Sequence, residues 1–175
     1  MKIKFIVPFF ILFILFGFLY HELFYAKTNN IESGMIGEAL TPFTLRDLNQ
    51  PNAFFTEHDL TSKVSLLNVW ATWCYACEIE VPMLLKIKEQ YHIPIYSIDY
   101  KDNPADVNAW LKRYGNPYEK IGDDTTGQTA VDLGIYGTPE TFVINKKGEI
   151  LYRHVGVLDQ KAWDTVLYPM IKRLA

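Results

Sequence analysis

The feature that most constrains the fold of this chain is a cysteine pair, Cys74 and Cys77, placed where a strand gives way to a helix. Residues 64–71 form a continuous apolar run of strand length, which is typical of a strand buried on both faces. The residues after the pair repeat at the four-residue spacing of one helix face: Ile79, Met83, Ile87 and Tyr91. A helix N-terminus presents unpaired N–H groups and about half a positive charge, so this placement favours a thiolate.

The placement predicts a redox role for the two cysteines. Cys74, at the N-terminal side, is expected to be the accessible nucleophile, and Cys77, one turn into the helix, to attack the resulting mixed disulfide. A purely structural disulfide is one alternative, but a bridge between residues three apart closes too small a loop to stabilise much. Half of a metal site is the other, but the four histidines show no ligand spacing. We therefore expect redox chemistry at this pair and no bound metal.

Composition limits the remaining function classes. The chain has 175 residues, 49% of them hydrophobic, and seven of its eleven phenylalanines lie in the first 25 residues. The other 150 residues carry 15 Lys and Arg against 19 Asp and Glu, a formal charge of −4. This part is long enough to bury a core, and its mildly acidic composition excludes a disordered chain, a polytopic membrane protein and a basic nucleic-acid binder. Two cysteines also exclude a disulfide-rich scaffold.

The N-terminal segment has the pattern of a membrane anchor. Two lysines precede an apolar run at 5–20, near the shortest length that spans a bilayer. Lysines on that side predict the N-terminus inside and the rest outside, which in a bacterium is the periplasm. A cleaved signal peptide is the alternative, but its apolar region is normally shorter and no good small-x-small site follows closely. We expect a transmembrane anchor at 1–26, a linker at 27–40 and one domain at 41–175.

The pattern along this domain predicts an α/β fold with a mixed central sheet flanked by helices. Strands are predicted at 43–47, 54–56, 64–71, 93–100, 141–144 and 149–154, the last two as a hairpin. Helices are predicted after Cys77, from Asn103-Pro104 to Gly115, over 125–133 and from Asp159 onward. Pro169 is expected to kink or shorten the last of them. The order of strands and helices predicts a sheet covered on both faces.

A proline loop before the hairpin is the second candidate element, with the sequence Gly137, Thr138, Pro139, Glu140, Thr141. A proline directly before a strand suggests a fixed turn, and an X-Pro bond is the usual place for a cis peptide. An ordinary loop proline is the alternative. If this loop lies against the cysteines, the backbone of Thr138 can hydrogen-bond an extended substrate, as in strand addition.

Two carboxylates and a tryptophan complete the candidate site. Glu80 lies three residues after Cys77, and Glu140 follows the loop proline. A negative charge near Cys74 opposes the helix dipole and should raise the pKa of that thiol, and a carboxylate can also accept the proton of Cys77. Solvated surface charges are the alternative for both. Trp73, beside Cys74, is either an apolar docking surface or a half-buried packing residue.

These motifs resemble the thioredoxin superfamily and, within it, the membrane-anchored thiol:disulfide interchange proteins of cytochrome c maturation, the CcmG/DsbE family. The resemblance covers the whole chain, anchor included. Its distinctive stretches are residues 100–102, residues 110–112 with 115–118, and residues 132–142, and residues 150–156 continue it. The run Gly-x-Tyr-Gly-x-Pro-Glu-Thr at 134–141 is far more specific than the cysteine spacing.

The resemblance assigns roles by position. The matching residues are the disulfide-forming redox pair Cys74 and Cys77, the acidic helix residue Glu80, and Pro139 and Glu140 of a cis-proline loop. Between the cysteines this chain has Tyr75-Ala76, where the family pattern has a proline first. Because the intervening pair helps set thiol pKa and potential, this departure bears on the redox poise rather than on the fold.

The resemblance implies a thioredoxin fold with extra N-terminal structure and a periplasmic reductant of apocytochrome c disulfides, acting directly or through a maturation thiol protein, before haem attachment. It implies electrons from a membrane donor of the DsbD/CcdA kind, no cofactor and no nucleic acid. A general thioredoxin-like reductase for other envelope proteins is the nearest alternative, and an apocytochrome-binding module with a secondary redox role is another. An oxidant is disfavoured, because two carboxylates near the thiolate oppose it. A copper chaperone is disfavoured because no His or Met stands at a persuasive ligand position.

Overall fold

The computed structural model describes residues 3–25, 35–50 and 52–174 of the chain. The chain divides into two compact units, Met1–Glu32 and Ser33–Ala175. The first contains helix α1, Ile3–Tyr25. Across the described residues, no helix combines the length and the apolar character that crossing a membrane requires. Most of the predicted linker lies outside the described residues, and the predicted domain bounds stay predictions.

The second unit opens with a small two-stranded sheet. Strands β1 (Thr44–Arg46) and β2 (Phe54–Thr56) pair antiparallel, and a 3₁₀ turn, Glu57–Leu60, follows. Both short strands are therefore confirmed, and they pair with each other apart from the main sheet. Phe55 is fully buried, and its ring stacks on Tyr96 of the main sheet at 5.6 Å between centroids.

The main sheet has five strands in the spatial order β5-β4-β3-β6-β7. Their bounds are Ser65–Trp70 (β3), Ile95–Tyr100 (β4), Ile121–Asp124 (β5), Glu140–Ile144 (β6) and Ile150–Val155 (β7). Strand β3 pairs in parallel with β4 and antiparallel with β6, and all its residues are buried. The mixed sheet, the central position of the 64–71 run and the β6–β7 hairpin are thus confirmed.

Helical segments follow the strands and supply the packing layers: α2 (Tyr75–Lys86) with a π-helical turn (Ile87–Tyr91), α3 (Pro104–Tyr114), α4 (Gln128–Asp132), α5 (Gln160–Ala162) with a π-helical turn (Trp163–Leu167), and α6 (Tyr168–Leu174). Asn103 caps α3 as predicted, accepting from the N–H of Ala105 at 3.2 Å. Asp159 caps α5 in the same way.

Pro169 does not shorten the last helix, which runs on to Leu174. The π-helical turn Trp163–Leu167 immediately precedes the proline, and the N–H of Tyr168 donates to the carbonyl of Trp163, five residues back. This wider hydrogen-bond spacing is the usual way for a helix to absorb a local irregularity. Of the two effects expected of Pro169, a kink or a shortened helix, shortening is not seen, and the π-helical turn that ends two residues before the proline is the irregularity of this helix.

Apolar clusters cover both faces of the main sheet. One cluster contains Trp70, Leu84 and Trp163, and the other contains Phe55, Leu67 and Phe142. Trp70 and Trp163 are fully buried, as expected for core residues. The central strand is therefore tightly packed on both faces. The segment that carries the cysteines follows directly from this rigid strand.

Strand β5, Ile121–Asp124, was not predicted. Its sequence, Ile-Gly-Asp-Asp, has too few apolar residues to show a strand pattern. Tertiary contacts form it instead: it pairs in parallel with β4, and the Asp47 carboxylate accepts the N–H of Ile121 at 3.2 Å. Gly122 is required there, because a Cβ would stand 2.6 Å from the side chain of Leu45.

Candidate active site

The cysteine pair lies between the end of β3 and the start of α2. Cys74 is the N-cap residue of α2, and its Sγ accepts a hydrogen bond from the N–H of Cys77 at 3.1 Å. The two cysteines form a disulfide. Cys74 is 7% exposed and Cys77 1%, so the first sulfur is the more accessible one. The helix N-terminus favours negative charge on Cys74 when the disulfide opens.

An aspartate carboxylate holds the chain that leads into Cys74. Asp102, just after β4, accepts from the hydroxyl of Thr72 at 2.8 Å and from the backbone N–H of Thr72. It also accepts the N–H of Asn103 at 2.8 Å. Hydrogen bonds to a nearly buried carboxylate are among the stronger ones, so they fix the turn between β3 and α2.

An exposed aromatic rim, Trp73 and Tyr75, flanks Cys74. Trp73 is 59% exposed and Tyr75 75%. The indole N–H of Trp73 donates to the carbonyl of Lys101 at 3.2 Å, which orients the ring without burying it. This exposure favours the docking-surface interpretation of Trp73 over half-buried packing.

Glu80 is buried behind Cys77. The two residues are three apart on α2, so they share a helix face, and Glu80 is 1% exposed. Its Oε1 accepts from Nδ2 of Asn68 at 2.9 Å, and its Oε2 accepts from the N–H of Leu158 at 3.1 Å. Burial raises the pKa of Glu80 from 4.5 to about 7, with the two hydrogen bonds opposing the rise. A solvated surface charge is therefore excluded, and the carboxyl is poised to exchange a proton near neutral pH.

Glu140, at the start of β6, is also buried, but a cationic side chain pairs with it. Nε of Arg153 donates to its Oε2 at 2.7 Å, and Nη2 forms an ion pair with the same oxygen at 2.6 Å. Burial raises the pKa of Glu140, and Arg153 opposes that rise. The guanidinium also lies 4.4 Å from the ring centroid of Tyr136. Glu140 is therefore not a solvated surface charge, and the guanidinium of Arg153 offsets the negative charge that was expected to raise the pKa of Cys74.

The Thr138–Pro139 peptide bond is cis. Strand β6 begins directly after it, and Glu140 pairs with Val69 near the end of β3. The proline loop and the cysteines therefore meet at the same end of the sheet. Pro139 is buried, and Thr138 is partly exposed.

Sequence reasoning missed several polar residues of this region. Asn68 and Arg153 each interrupt an apolar strand, and a polar side chain inside such a strand is a signal that it has a buried partner. Tyr118 donates its hydroxyl to Oδ1 of Asn68 at 2.9 Å, deep in the fold. No local pattern marks Tyr118, because its partner is 50 residues away.

Asp99, on β4, is a second buried acid near the site. It is 1% exposed. Burial, together with the neighbouring carboxylates of Asp102, Asp123 and Asp124, raises the pKa of Asp99 to about 8. Its carboxyl therefore stays protonated at neutral pH, so it adds no negative charge near the cysteines.

Comparison with known proteins agrees with this geometry. Residues 35–167 match the Redoxin family. The thiol:disulfide interchange protein DsbE of Pasteurella multocida is 44% identical over 144 residues, which are 82% of this chain and 79% of the relative. The DsbE protein of Pseudomonas aeruginosa is 41% identical over 146 residues, 83% of this chain and 81% of the relative.

A solved structure shows the same fold. The thioredoxin domain of a thiol-disulfide oxidoreductase from Bacteroides vulgatus superposes with a TM-score of 0.67 and 18% identity, over 82% of this chain and all of that one. The disulfide lies at the N-terminus of a helix that packs on this sheet, and the relatives are near 40% identical over four fifths of the chain. The chain therefore belongs to the Redoxin family of the thioredoxin superfamily, as a thiol:disulfide oxidoreductase of the DsbE/CcmG type.

Proposed function

We propose that the protein is a reductant, which passes electrons from its reduced Cys74–Cys77 pair to the disulfide of apocytochrome c, or of a maturation thiol protein, before haem attachment. The observation that carries this proposal is the carboxyl of Glu80, which is buried one turn after Cys77 and hydrogen-bonded by two neutral donors, the Asn68 amide and the Leu158 N–H. A negative charge there disfavours a second one on sulfur, so the thiolate form of the reduced pair is less stabilised. A strong oxidant needs the opposite, a stabilised reduced form.

The reaction follows from the placement of the two sulfurs. The Cys74 thiolate attacks a substrate disulfide, so a Cys74–substrate bond forms while the substrate S–S bond breaks and its freed sulfur takes up a proton. Cys77 then gives its proton to Glu80 and attacks the sulfur of Cys74. That step breaks the mixed disulfide, closes the Cys74–Cys77 bond and releases the second substrate sulfur, which takes up the proton from Glu80. The first freed sulfur takes its proton from solvent, which received it when Cys74 ionised, so the substrate leaves as a dithiol with two more electrons and two more protons.

We assign substrate contact to the surface beside Cys74. Trp73 offers an exposed apolar ring, and the backbone of Thr138 offers hydrogen bonds to an extended segment. Pro139 shapes the loop that carries Thr138. Glu140, which is buried and tied to Arg153, contributes by holding this loop rather than by reaching the substrate.

We further propose that residues 1–26 attach the protein to the bacterial inner membrane with its larger unit in the periplasm. The apolar run and the lysines that precede it in the sequence support this proposal. Electrons would then come from a membrane donor of the DsbD/CcdA kind, which restores the dithiol after each turnover.

A trapping experiment tests the substrate. Cys77→Ser leaves the nucleophile but removes the resolving thiol, so a mixed disulfide accumulates on Cys74 in cells that make the protein. We expect apocytochrome c, or a thiol protein of its maturation, among the trapped partners. Cys74→Ser is the matched control and should trap neither.

The alternatives give different results in the same cells. Trapped partners that are all unrelated envelope proteins would point to a general reductase. If a Cys74→Ser/Cys77→Ser double variant still supports normal amounts of c-type cytochromes, the protein serves as an apocytochrome-binding module and the reductant proposal is wrong.

A further inference from the structure

One buried asparagine joins three elements beneath the disulfide. Asn68, in the middle of β3, donates from Nδ2 to Oε1 of Glu80 on α2 at 2.9 Å and to the hydroxyl of Thr141 on β6 at 3.0 Å. Its Oδ1 accepts the hydroxyl of Tyr118, from the segment before β5, at 2.9 Å. Each of these bonds is buried, so the amide has no solvent to replace a lost partner.

The orientation of the Asn68 amide affects which protonation state of Glu80 is favoured. A carboxylate only accepts hydrogen bonds, whereas a protonated carboxyl also donates one. With its NH₂ group toward Glu80, Asn68 stabilises the ionised form. With its oxygen toward Glu80, it would stabilise the protonated form. Whatever fixes the amide orientation therefore biases the charge of Glu80.

Tyr118 is placed to fix that orientation. Its ring is 3% exposed and stacks on Trp70 at 5.4 Å between centroids, and its backbone N–H donates to Oδ1 of Asn116 at 2.9 Å. Burial, and the charges of Glu80 and Asp99, raise the pKa of Tyr118 well above its ordinary value. Its hydroxyl therefore keeps its proton at every pH at which the enzyme works.

We propose that Tyr118 is a positioning residue: by donating to Oδ1 of Asn68, it turns the amide NH₂ toward Glu80 and so sets the readiness of Glu80 to take the proton of Cys77. The proposal rests on the proposed role of Glu80 as proton acceptor. The network extends the site from the helix that carries the cysteines to the segment before β5, about 40 residues farther along the chain.

Tyr118→Phe removes one hydroxyl and keeps the ring. Asn68 then loses the partner of its Oδ1 and can turn over, so the ionised form of Glu80 loses part of its stabilisation. We expect the pKa of Glu80 to rise by roughly half a unit or more, since one hydrogen bond is worth about that much. Tyr96→Phe is the matched control, because Tyr96 stacks on Phe55 in the other apolar cluster.

The experiment is a pH titration of ¹³C-carboxyl-labelled glutamate by NMR on the oxidised full chain in mild detergent. Disulfide-bonded cysteines do not titrate, so the Glu80 signal is not mixed with theirs; Glu80→Gln assigns it. Wild type and Tyr96→Phe should share one Glu80 pKa, and Tyr118→Phe should show a higher one.

An unchanged or lowered Glu80 pKa in a folded Tyr118→Phe protein would overturn the inference and leave Tyr118 a packing residue. Asn68→Leu gives a second test, since it removes the donor itself and should raise the pKa of Glu80 at least as far as Tyr118→Phe does. These titrations involve no substrate. A failure of the reductase proposal would instead appear as a Cys77→Ser variant that traps no apocytochrome partner, while the Glu80 pKa of the oxidised protein still rises in Tyr118→Phe.

Discussion

Removing the guanidinium of Arg153 should destabilise the larger unit strongly, because it leaves the Glu140 carboxyl buried without its cation. The side chains of Arg153 and Glu140 are 4% and 0% exposed, Nε donates to Oε2 of Glu140, and Nη2 lies 2.6 Å from the same oxygen as an ion pair. Losing one partner of such a buried pair costs about 3–5 kcal/mol. The contact of Arg153 with the Tyr136 ring adds a smaller amount, about 1 kcal/mol. We expect Arg153→Met to lower the free energy of unfolding by about 4 kcal/mol.

The stability that Arg153→Met loses should depend on pH in a definite direction. Burial already raises the pKa of Glu140 even with Arg153 present, and without Arg153 it should rise further. A carboxyl whose pKa is higher in the folded state than in the unfolded state destabilises the fold when it ionises. The cost of Arg153→Met should therefore be greatest above the raised pKa of Glu140 and shrink as the pH falls through it.

Urea unfolding of the full chain, followed by tryptophan fluorescence at about pH 7.5 and about pH 5, measures both effects. Glu140→Gln/Arg153→Met removes both charges and should recover most of the stability that Arg153→Met loses. Arg113→Met, at an exposed arginine, is the control and should change stability by less than about 0.5 kcal/mol. A loss below about 1 kcal/mol for Arg153→Met, or a double variant no more stable than the single one, would refute the reasoning.

Three further substitutions test the other buried acids. The folded-state pKa of Glu80 is raised from 4.5 to about 7, so the fold loses stability as the pH rises through that window. Glu80→Gln should gain up to roughly 3 kcal/mol relative to wild type above pH 7 in urea unfolding, less the hydrogen bond it cannot replace. The pKa of Asp99 is likewise raised, from 3.8 to about 8, so the stability that Asp99→Asn gains over wild type should grow as the pH rises from 4 to 8 and reach at least about 1 kcal/mol at neutral pH in thermal unfolding. Asp102→Ala should cost about 2 kcal/mol in urea unfolding, because the bonds to Thr72 are lost.

The two glutamates near the cysteines have different electrostatic roles. Both were expected to oppose a thiolate at Cys74, but Arg153 compensates Glu140. Among the described residues, the hydrogen bonds to Glu80 come from neutral donors, the Asn68 amide and the Leu158 N–H, so burial dominates its pKa. An oxidant is therefore disfavoured by one acid, Glu80, rather than by two.

The sequence predicted those parts of the fold that local patterns encode. The apolar run at 64–71 identified the central strand, and the Asn103-Pro104 pair identified the start of α3. Strand β5 was not predictable in this way, because its four residues, Ile-Gly-Asp-Asp, become a strand only through pairing with β4 and the carboxylate of Asp47. The helix after Asp159 also continues past Pro169 through a π-helical turn that no propensity indicates.

For the site, the cysteines and the two glutamates were predictable because they lie within recognisable motifs. Their partners were not. The Arg153–Glu140 pair depends on the register of the β6–β7 hairpin, and the Tyr118–Asn68 bond joins residues 50 apart. A polar residue inside an apolar strand signals only that a partner exists, and the folded chain is needed to identify it.

The reduction potential of the Cys74–Cys77 pair tests the central claim most directly. Equilibrating the protein with thiol buffers of known poise, and quantifying the oxidised fraction, gives the value. We expect a potential toward that of thioredoxin, about −270 mV, because a buried acid behind Cys77 disfavours the thiolate. A potential toward that of the oxidant DsbA, about −120 mV, would show that the reductant proposal is wrong. The protein would then oxidise its substrates, and Glu80 would not set its direction.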